Sequence, residues 1–449
     1  MNYPATEAIL SQVQEALERD DLNRAIHILQ ALKPVDQAEV FEDLDDEDQV
    51  SLLPNLETDV SADILEYLED EDAARLAASL SEDDVVRIVN EMEPDEAADL
   101  LGDIQPSQAQ AILAQLDNPE EVRPLLLHPD ESAGGLMTSE YLALRRRMTV
   151  AEALQALRDW HPDRDWIYYL YVVDGQNRLS GVVSPRQLIV SDPGELIMDI
   201  MDTDFISVKA GEDQEKVAEV MSRYDLLALP VVDDHNVLLG MITIDDVMDV
   251  VVEEATEDIQ KLGGALPLDE PYLLTKAGSI VRKRIGWLML LFVTESLTGT
   301  VLRHYEDELQ VAVALAFFVP LLIGTGGNAG SQTTSTIIRA LAVGEIHIRD
   351  WLRALWHESR VGLLLGVGMA ALAYLRALTW GSSSALSLTV AIAVLSIVIW
   401  ANVLGAVLPI AAQRFKIDPT VVSGPVMSTL VDATGLFIYF SIARFIMKL

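Results

Sequence analysis

The sequence predicts a multidomain membrane protein. An all-α superhelical solenoid and an α+β tandem repeat should precede a long connecting helix and a five-helix transmembrane domain. Three observations support this fold class: a 12-residue repeat in the first 130 residues, a β-α-β-β-α pattern that occurs twice, and five long apolar stretches after residue 270. We expect domains at residues 1–130, 131–200, 201–245, 246–270 and 271–449.

Charge divides the chain into two unlike halves. Residues 1–270 hold 62 acidic and 17 basic side chains, whereas residues 271–449 hold 9 acidic and 14 basic ones. Half of all residues are nevertheless hydrophobic. A strongly acidic soluble half therefore precedes an apolar membrane half. Its charge would repel nucleic-acid phosphates and favours metal cations or basic partners.

Composition also excludes several chemistries. The chain has no cysteine, so it contains no disulfide, thiolate zinc site or iron–sulfur cluster. The seven histidines form no nucleophile–base pattern, so an enzyme is not expected. The first 30 residues lack a basic segment followed by an apolar one, which favours a cytoplasmic location for the soluble half.

A period of 12 residues organises the first domain. Each unit opens with an apolar residue, continues with acidic or helix-capping residues and ends in a short apolar helix. The units begin at Leu32, Leu44, Leu56, Leu68, Leu80, Met92, Ile104 and Leu116. Helices this short cannot bury an apolar face alone, so they should stack into a solenoid. The solenoid would be a binding or sensing module, but for most of its acidic residues solvated helix caps are the favoured interpretation.

Two matching segments follow the solenoid. The phrases YVVDGQNRLSGVVSPRQL and PVVDDHNVLLGMITIDDV align as hairpin, turn, strand and helix, with Gly175 and Asp234 in the turns. This tandem resembles a pair of CBS domains, which often bind adenosine nucleotides or metals. The second copy keeps the expected ribose-binding carboxylate at Asp246, but the first has Gln187 beside Arg186. ATP binding, with Arg186 as the candidate contact, therefore stays an open alternative.

The segment 245–262 predicts one long helix with an acidic face. Asp246, Asp249, Glu253 and Glu257 follow one another at steps of three or four, so they share one side of the helix. Glu254 and Asp258 lie alongside. Like charges at this spacing repel, and divalent cations prefer oxygen ligands. The pattern favours metal sensing over a solvated face.

Five membrane spans are expected in the last domain. They are Ile285–Leu302, Val313–Ala342, Val361–Leu375, Leu386–Ala412 and Val421–Ile446. Ten of the fourteen basic residues flank the ends of these spans on the side of the soluble domains. The positive-inside rule then predicts a cytoplasmic N-terminus and an external C-terminus in the plasma (inner) membrane.

One carboxylate lies at the midpoint of the fifth span. A charged side chain there costs about 2.5–3.5 kcal/mol on insertion scales, so Asp432 should face water, a cation or a partner. Pro320 is expected to break span two, and its glycine-rich stretch Gly324–Gln332 should have irregular backbone that faces a cavity. Asn328 with neighbouring carbonyls would then line a pore beside Asp432. Close helix packing is the alternative for these glycines. Asn402 in span four is expected to pair helices, and Glu295 in span one has no assigned role.

These motifs together resemble the MgtE family of magnesium channels and transporters. The segments that carry the resemblance are ESAGGLMTSEY, EEATEDIQKLGG, PLLIGTGGNAGSQ and SGPVMSTLVDATG. The resemblance implies a homodimer with one central pore, closed by cytosolic Mg²⁺ through a plug helix at the connecting segment. It implies that Asp432 holds hydrated Mg²⁺ in a pore lined by Gly324, Gly327, Asn328 and Gly435. It also implies regulatory metal sites at Asp95, Asp99, Asp213, Glu215, Asp225, Asp246, Asp249, Glu254, Glu257 and Asp258.

Two other functions stay open. A proton- or sodium-coupled divalent-cation transporter would use Asp432 or Glu295 to carry the coupling proton. A membrane-tethered receptor would sense divalent ions or nucleotides through the CBS pair without any flux. The sequence does not distinguish among Mg²⁺, Co²⁺, Mn²⁺ and Ni²⁺ as the transported ion.

Overall fold

The computed structural model describes residues 3–160, 168–268, 272, 275–422 and 424–448. The chain divides into two compact units, residues 1–252 and 253–449. The first holds a helical solenoid and two small mixed sheets, and the second holds the long apolar helices. The predicted fold class is confirmed. The residue boundaries between the domains stay predictions.

Ten short helices build the solenoid. They are α1 (Tyr3–Glu18), α2 (Leu22–Leu29), α3 (Pro34–Glu42), α4 (Asp46–Leu52), α5 (Thr58–Tyr67), α6 (Asp70–Ser79), α7 (Glu82–Val89), α8 (Pro94–Asp103), α9 (Pro106–Leu113) and α10 (Pro119–Val122). Alternate helices pack together, as α3 on α5, α5 on α7, and α6 on α8. Proline or acidic side chains in most first turns stabilise the helix starts, which lack intrahelical N–H partners. The result is a two-layered superhelix.

The 12-residue spacing also places polar side chains that bind the preceding helix. Three buried donors one repeat apart reach the C-terminal carbonyls of the helix or turn before them, which have no partner inside their own helix. Gln37, Gln49 and Ser61 donate to the carbonyl oxygens of Leu29, Phe41 and Leu53 at 3.2, 2.9 and 2.8 Å. The repeat therefore specifies both the apolar core and the hydrogen bonds that satisfy the carbonyl groups at the preceding helix or turn.

The two β-α-β-β-α copies are confirmed. The first contains β1 (Ala143–Arg145), α11 (Val150–Trp160), β2 (Leu170–Val173), β3 (Leu179–Val183), α12 (Pro185–Val190) and α13 (Ile197–Ile200). The second contains β4 (Val208–Lys209), α14 (Gln214–Tyr224), β5 (Ala228–Val232), β6 (Leu238–Thr243) and α15 (Ile244–Leu262). In each sheet the first strand is parallel to the second, and the second is antiparallel to the third. Ile167, the expected start of a strand, lies outside the described residues.

Both hairpin turns use the same hydrogen bonds. Asp174 Oδ1 accepts from the backbone N–H groups two and four residues later, and Asp233 Oδ1 does the same. Asn177 and Asn236 take left-handed φ values of 60° and 64°, which asparagine tolerates better than most residues. The predicted turns at Gly175 and Asp234 are confirmed.

Among the described residues of the second unit, five helices are long and apolar enough to cross a membrane. They are α16 (Ala277–His304), α18 (Val319–Ala342, extended by a turn from Val313), α19 (Trp351–Thr379), α20 (Ser384–Arg414) and α21 (Gly424–Met447), with short α17 (Glu306–Val311) after the first. The expected third span was too short, because α19 begins ten residues earlier and includes Trp351 and Trp356. At 29 residues it extends about 43 Å, longer than a bilayer core of about 30 Å.

The expected irregular backbone at Gly324–Gln332 was wrong. This stretch is helical within α18, and Pro320 lies in the first turn, where its missing N–H is not needed. Tight packing explains the buried glycines. A Cβ on Gly326 would lie 2.6 Å from Cγ2 of Ile397, and one on Gly330 would lie 2.9 Å from Met427.

Candidate cation pathway and regulatory acidic sites

Asp432 lies one third of the way along α21 and is half-buried. Helix α21 packs against α16, α18 and α20. The carboxylate of Glu295 on α16 is close enough to repel it electrostatically. Within the described part of the chain, no basic side chain forms an ion pair with Asp432. The site is therefore negative and has no counter-ion in the part of the chain that the structure describes.

One face of α18 is polar and exposed. Gly324, Asn328 and Gln332 are spaced by four residues and are accessible, and Ser335 continues the row. Gly324 would tolerate a Cβ, since no atom of another described element lies within 4 Å of the position of that Cβ. Polar groups on a spanning helix belong against water or protein rather than lipid.

The other two predicted pore positions are buried. A Cβ on Gly327 would lie 3.1 Å from Oγ of Ser428, and one on Gly435 would lie 3.4 Å from Cγ2 of Ile397. Gly327 thus packs α18 against α21, and Gly435 packs α21 against α20. Neither lies on the exposed face that holds Asn328.

Four carboxylates from the solenoid and the second β-α-β-β-α copy lie close enough to repel one another electrostatically. Asp95, Glu96 and Asp99 come from α8, and Asp246 comes from the first turn of α15. Asp95 is 6% exposed, and its Oδ1 has no hydrogen-bond partner among the described residues. Oδ2 of Asp246 accepts from the Thr243 hydroxyl at 2.7 Å. Asp95, Asp99 and Asp246, three of the predicted metal ligands, thus lie close enough to repel one another electrostatically, although they do not form one ligand set among the described residues.

Burial and mutual repulsion raise the pKa values of this group. Burial, followed by the charge of Asp246, raises the pKa of Asp95 well above its usual range. Burial, with Asp95 and Asp99 nearby, raises the pKa of Glu96 to about 9. The pKa values of Asp99 and Asp246 rise to about 7 and about 6, again chiefly through burial. A divalent cation would remove this electrostatic cost.

The predicted ligands in the second CBS domain occupy opposite ends of α14. Asp213 caps the start of this helix and accepts from the backbone N–H of Glu215 at 3.0 Å. Asp225 ends it in the left-handed conformation, with φ 53°. An 11-residue helix is about 16 Å long, so Asp225 of one protomer cannot share an ion with Asp213 of the same protomer.

The acids of α15 have different surroundings. Asp249 is exposed, and its pKa is raised by partial burial and then by Asp245. Glu254 is half-buried, and the Glu257 carboxylate lies 2.7 Å from the Lys261 ammonium. The pKa of Asp258 is raised by burial and then by the charge of Asp418. The residues predicted to form one acidic face of α15 therefore lie in several different environments.

The loop before α21 contributes an acid that the sequence did not single out. Asp418 lies 3.1 Å from the ammonium of Lys261. Burial works against its charged form, but hydrogen bonds from Thr420 and Lys261 leave its pKa lowered. Burial disfavours the charged form of Lys261, but its hydrogen bonds to Glu257 and Asp418 outweigh this effect and raise its pKa to about 12. Lys261 thus neutralises two acids, Glu257 and Asp418.

The two copies differ at the position where a nucleotide-binding CBS domain is expected to hold a ribose-binding carboxylate. Gln187 closes a capping box with Ser184, and its Oε1 accepts from the Ser184 N–H at 2.7 Å. In the second copy Asp246 caps Thr243 in the corresponding place. Arg186 is exposed on α12. The first copy thus has the amide of Gln187 at the position expected for the ribose-binding carboxylate.

Across the described residues, no three His, Asp or Glu side chains are arranged to hold one metal ion between them.

Three acidic residues were not singled out from the sequence: Glu96, Asp418 and Glu358. Glu96 could have been found from its position beside Asp95 in the repeat. Glu358 was missed because the third span was started too late, at Val361.

The fold and these sites define a membrane transporter whose N-terminal half is acidic. Family profiles described as "Divalent cation transporter" (MgtE), "MgtE intracellular N domain" and "CBS domain" match residues 319–442, 32–131, and 133–192 with 197–253. The chain is 44% identical to the magnesium transporter MgtE of Thermus thermophilus and 37% identical to that of Bacillus subtilis. The first alignment covers 73% of both chains, and the second covers 72% of this chain and 71% of the relative. The protein belongs to the MgtE family, and it is a transporter rather than an enzyme.

Solved structures agree for the soluble half. One is described as the cytosolic domain of the Mg²⁺ channel MgtE in complex with ATP. It shares 37% identity with this chain at a TM-score of 0.51 and aligns over 54% of this chain and 99% of its own. A second, described as the soluble part of a magnesium transporter, shares 35% identity at a TM-score of 0.50, over 56% and 99%.

Proposed function

We propose that the protein is a Mg²⁺-selective channel for magnesium uptake, closed when cytosolic Mg²⁺ binds its acidic regulatory half. The principal observation is Asp432, a half-buried carboxylate on a spanning helix without an ion pair in the described residues. A cation in transit would compensate this charge. The identity of the ion as Mg²⁺ rests on the names of the relatives.

The pore is proposed to form in a homodimer. The exposed row Gly324, Asn328 and Gln332 needs water or protein beside it, and a second copy of α18 across a water-filled path supplies both. Mg²⁺ loses its water reluctantly, so two symmetry-related Asp432 side chains would hold it through its hydration shell. Uptake needs no pump, because a divalent ion gains about 4.6 kcal/mol per 100 mV of inside-negative potential.

Closure is proposed to follow from charge compensation. Without Mg²⁺, the clustered carboxylates of α8 and α15 repel one another, and the connecting helix moves away from the pore. Bound Mg²⁺ bridges them. The sites at Asp213, Glu215 and Asp225 would be completed by other domains or by the second copy. Several weak sites acting together would supply the roughly 5.5 kcal/mol that inverts a 99:1 population.

The proposal also covers the cellular location of the protein and a second regulatory ligand besides Mg²⁺. The acidic half lies in the cytoplasm and the C-terminus outside, with the protein in the plasma (inner) membrane. ATP is a candidate regulatory ligand of the CBS pair, supported by the ATP complex of the related cytosolic domain.

A proton- or sodium-coupled divalent-cation transporter is the second candidate. It is favoured by one observation, the proximity of Glu295 to Asp432, because two neighbouring carboxylates can share a proton.

Mg²⁺ flux into proteoliposomes tests both candidates. The channel proposal expects Asp432→Ala to abolish flux and Glu295→Gln to keep it, with a reversal potential that follows the Mg²⁺ gradient and ignores pH. Unchanged flux in Asp432→Ala would refute the pore assignment. A reversal potential that shifts with pH or Na⁺ would favour the coupled transporter.

A further inference from the structure

A buried polar cluster joins three spanning helices of the membrane half. Thr333 on α18, Glu358 on α19 and Asn402 on α20 are 6%, 9% and 1% exposed. The Thr333 hydroxyl oxygen lies 2.6 Å from Oδ1 of Asn402 and 3.4 Å from Oε2 of Glu358. The expected role of Asn402 in pairing helices is confirmed.

Glycines let the three helices meet at this level. A Cβ on Gly362 of α19 would lie 2.9 Å from Nδ2 of Asn402. A Cβ on Gly405 of α20 would lie 2.8 Å from the Gly330 carbonyl oxygen and 2.9 Å from Cβ of Thr333. Close approach leaves no room between the helices here, so the cluster must satisfy its own hydrogen bonds.

In the described part of the chain, no opposite charge is paired with Glu358 to stabilise an ionised form. Among the described residues, no basic side chain forms an ion pair with it, and its neighbours along α19, His357 and Arg360, are exposed. A buried carboxylate without a counter-ion is strongly destabilised in a membrane helix.

Counting donors leads to the same conclusion. A threonine hydroxyl has one proton to donate and two lone pairs that accept. The Thr333 proton is used in the short contact to Oδ1 of Asn402, which can only accept. The contact between Thr333 and Glu358 then becomes a hydrogen bond only when Glu358 provides the proton.

We propose that Glu358 is the neutral carboxylic acid and acts as a positioning residue for α18. Its proton closes a chain from Glu358 to Thr333 to Asn402 that fixes α18 against α19 and α20. The exposed face of α18 holds Asn328 and Gln332, which the proposed pore uses. Glu358 thus acts on the pathway through Thr333 and touches no transported ion.

Infrared spectroscopy of the full chain in lipid tests the protonation state directly. A carbonyl band of a protonated carboxyl group should be present in the wild type at neutral pH, and the fraction due to Glu358 should be missing in Glu358→Gln. Identical carboxylic-acid bands in the two proteins would overturn the proposal. That outcome is expected if the Asn402 amide is rotated, so that Thr333 donates to an ionised Glu358. This measurement does not depend on what the protein transports.

Transport of Mg²⁺ tests the positioning role, and this readout rests on the proposed function. Glu358→Gln keeps a neutral hydrogen-bonding group, so its flux should stay near that of the wild type. Glu358→Leu and Thr333→Val each break the chain, and each should lower the maximal flux by about tenfold without changing the half-saturating Mg²⁺ concentration. Their double variant should be no worse than either alone. If Glu358→Gln loses flux as fully as Glu358→Leu, the charge is required and the proposal fails.

Discussion

Lys261 ties the end of the connecting helix α15 to the turn that precedes α21, with its ammonium 3.1 Å from Oδ2 of Asp418. Asp418 in turn accepts from the backbone N–H of Thr420 at 2.8 Å, in the short turn before Gly424 starts α21. Helix α21 holds Asp432. A movement of α15 would therefore reach the helix of the proposed pore carboxylate through one ion pair.

Replacing Lys261 should favour the open state when cytosolic Mg²⁺ is low. We assign the Lys261–Asp418 contact to the closed state. In Lys261→Met, the acids Glu257, Asp258 and Asp418 lose their shared cation, which then destabilises that state. Two half-exposed ion pairs contribute about 1 kcal/mol together, so low-Mg²⁺ flux should rise roughly fivefold. High Mg²⁺ should still close the channel. Lys261→Arg is the matched control, and equal low-Mg²⁺ flux in Lys261→Met and wild type would contradict the coupling.

The acidic cluster should make the soluble half less stable as pH rises. The native pKa values of Asp246, Asp99 and Glu96 are about 6, about 7 and about 9, all above their ordinary values near 4. Groups with raised native pKa values stabilise the fold fully below pH 4, and this contribution is lost as pH rises through the native values. The free energy of unfolding of residues 1–252 without metal should therefore fall between pH 5 and pH 9.

Glu96 provides the variant that tests this dependence. It is protonated at pH 7, so Glu96→Gln should change stability little at that pH and flatten the decline between pH 7 and pH 9. Denaturant titration at both pH values measures the difference. Added Mg²⁺ should restore stability more at pH 9 than at pH 6, since protons compete with the metal. A pH-independent effect of Mg²⁺ would show that the ion binds elsewhere.

Deleting residues 1–130 should separate conduction from regulation. The deletion removes Asp95, Glu96 and Asp99 and leaves the pore domain intact. Flux should persist, but the cytosolic Mg²⁺ concentration needed for closure should rise. Closure at the same concentration in the truncated and full-length proteins would mean that the solenoid is not a sensor.

Periodic features were predictable from the sequence, whereas features set by tertiary contacts were not. The repeat at Leu32 and the paired turns at Gly175 and Asp234 follow from local spacing, so both were found. The burial of Glu358 depends on where α19 begins and on which helices approach it. Sequence spacing could assemble the α15 acids on one face, but it could not show that Lys261 neutralises one of them together with a loop residue more than 150 positions away.

Two glycines of α18 distinguish packing from pore lining. A Cβ on Gly326 would lie 2.6 Å from Ile397 Cγ2 and 2.7 Å from Val431 Cγ1, while a Cβ on Gly324 meets nothing within 4 Å. Gly326→Ala should therefore destabilise the membrane half by about 1–3 kcal/mol, measured as a lower midpoint of thermal unfolding in detergent.

Gly324→Ala is the matched variant, because it adds the same methyl group to the same helix on the exposed face. It should leave the unfolding midpoint unchanged and, if this face lines the pore, lower Mg²⁺ flux. Equal destabilisation by the two variants would show that Gly324 is also buried in the native assembly. Unchanged flux with unchanged stability would remove Gly324 from the pore lining, while the packing role of Gly326 would stand.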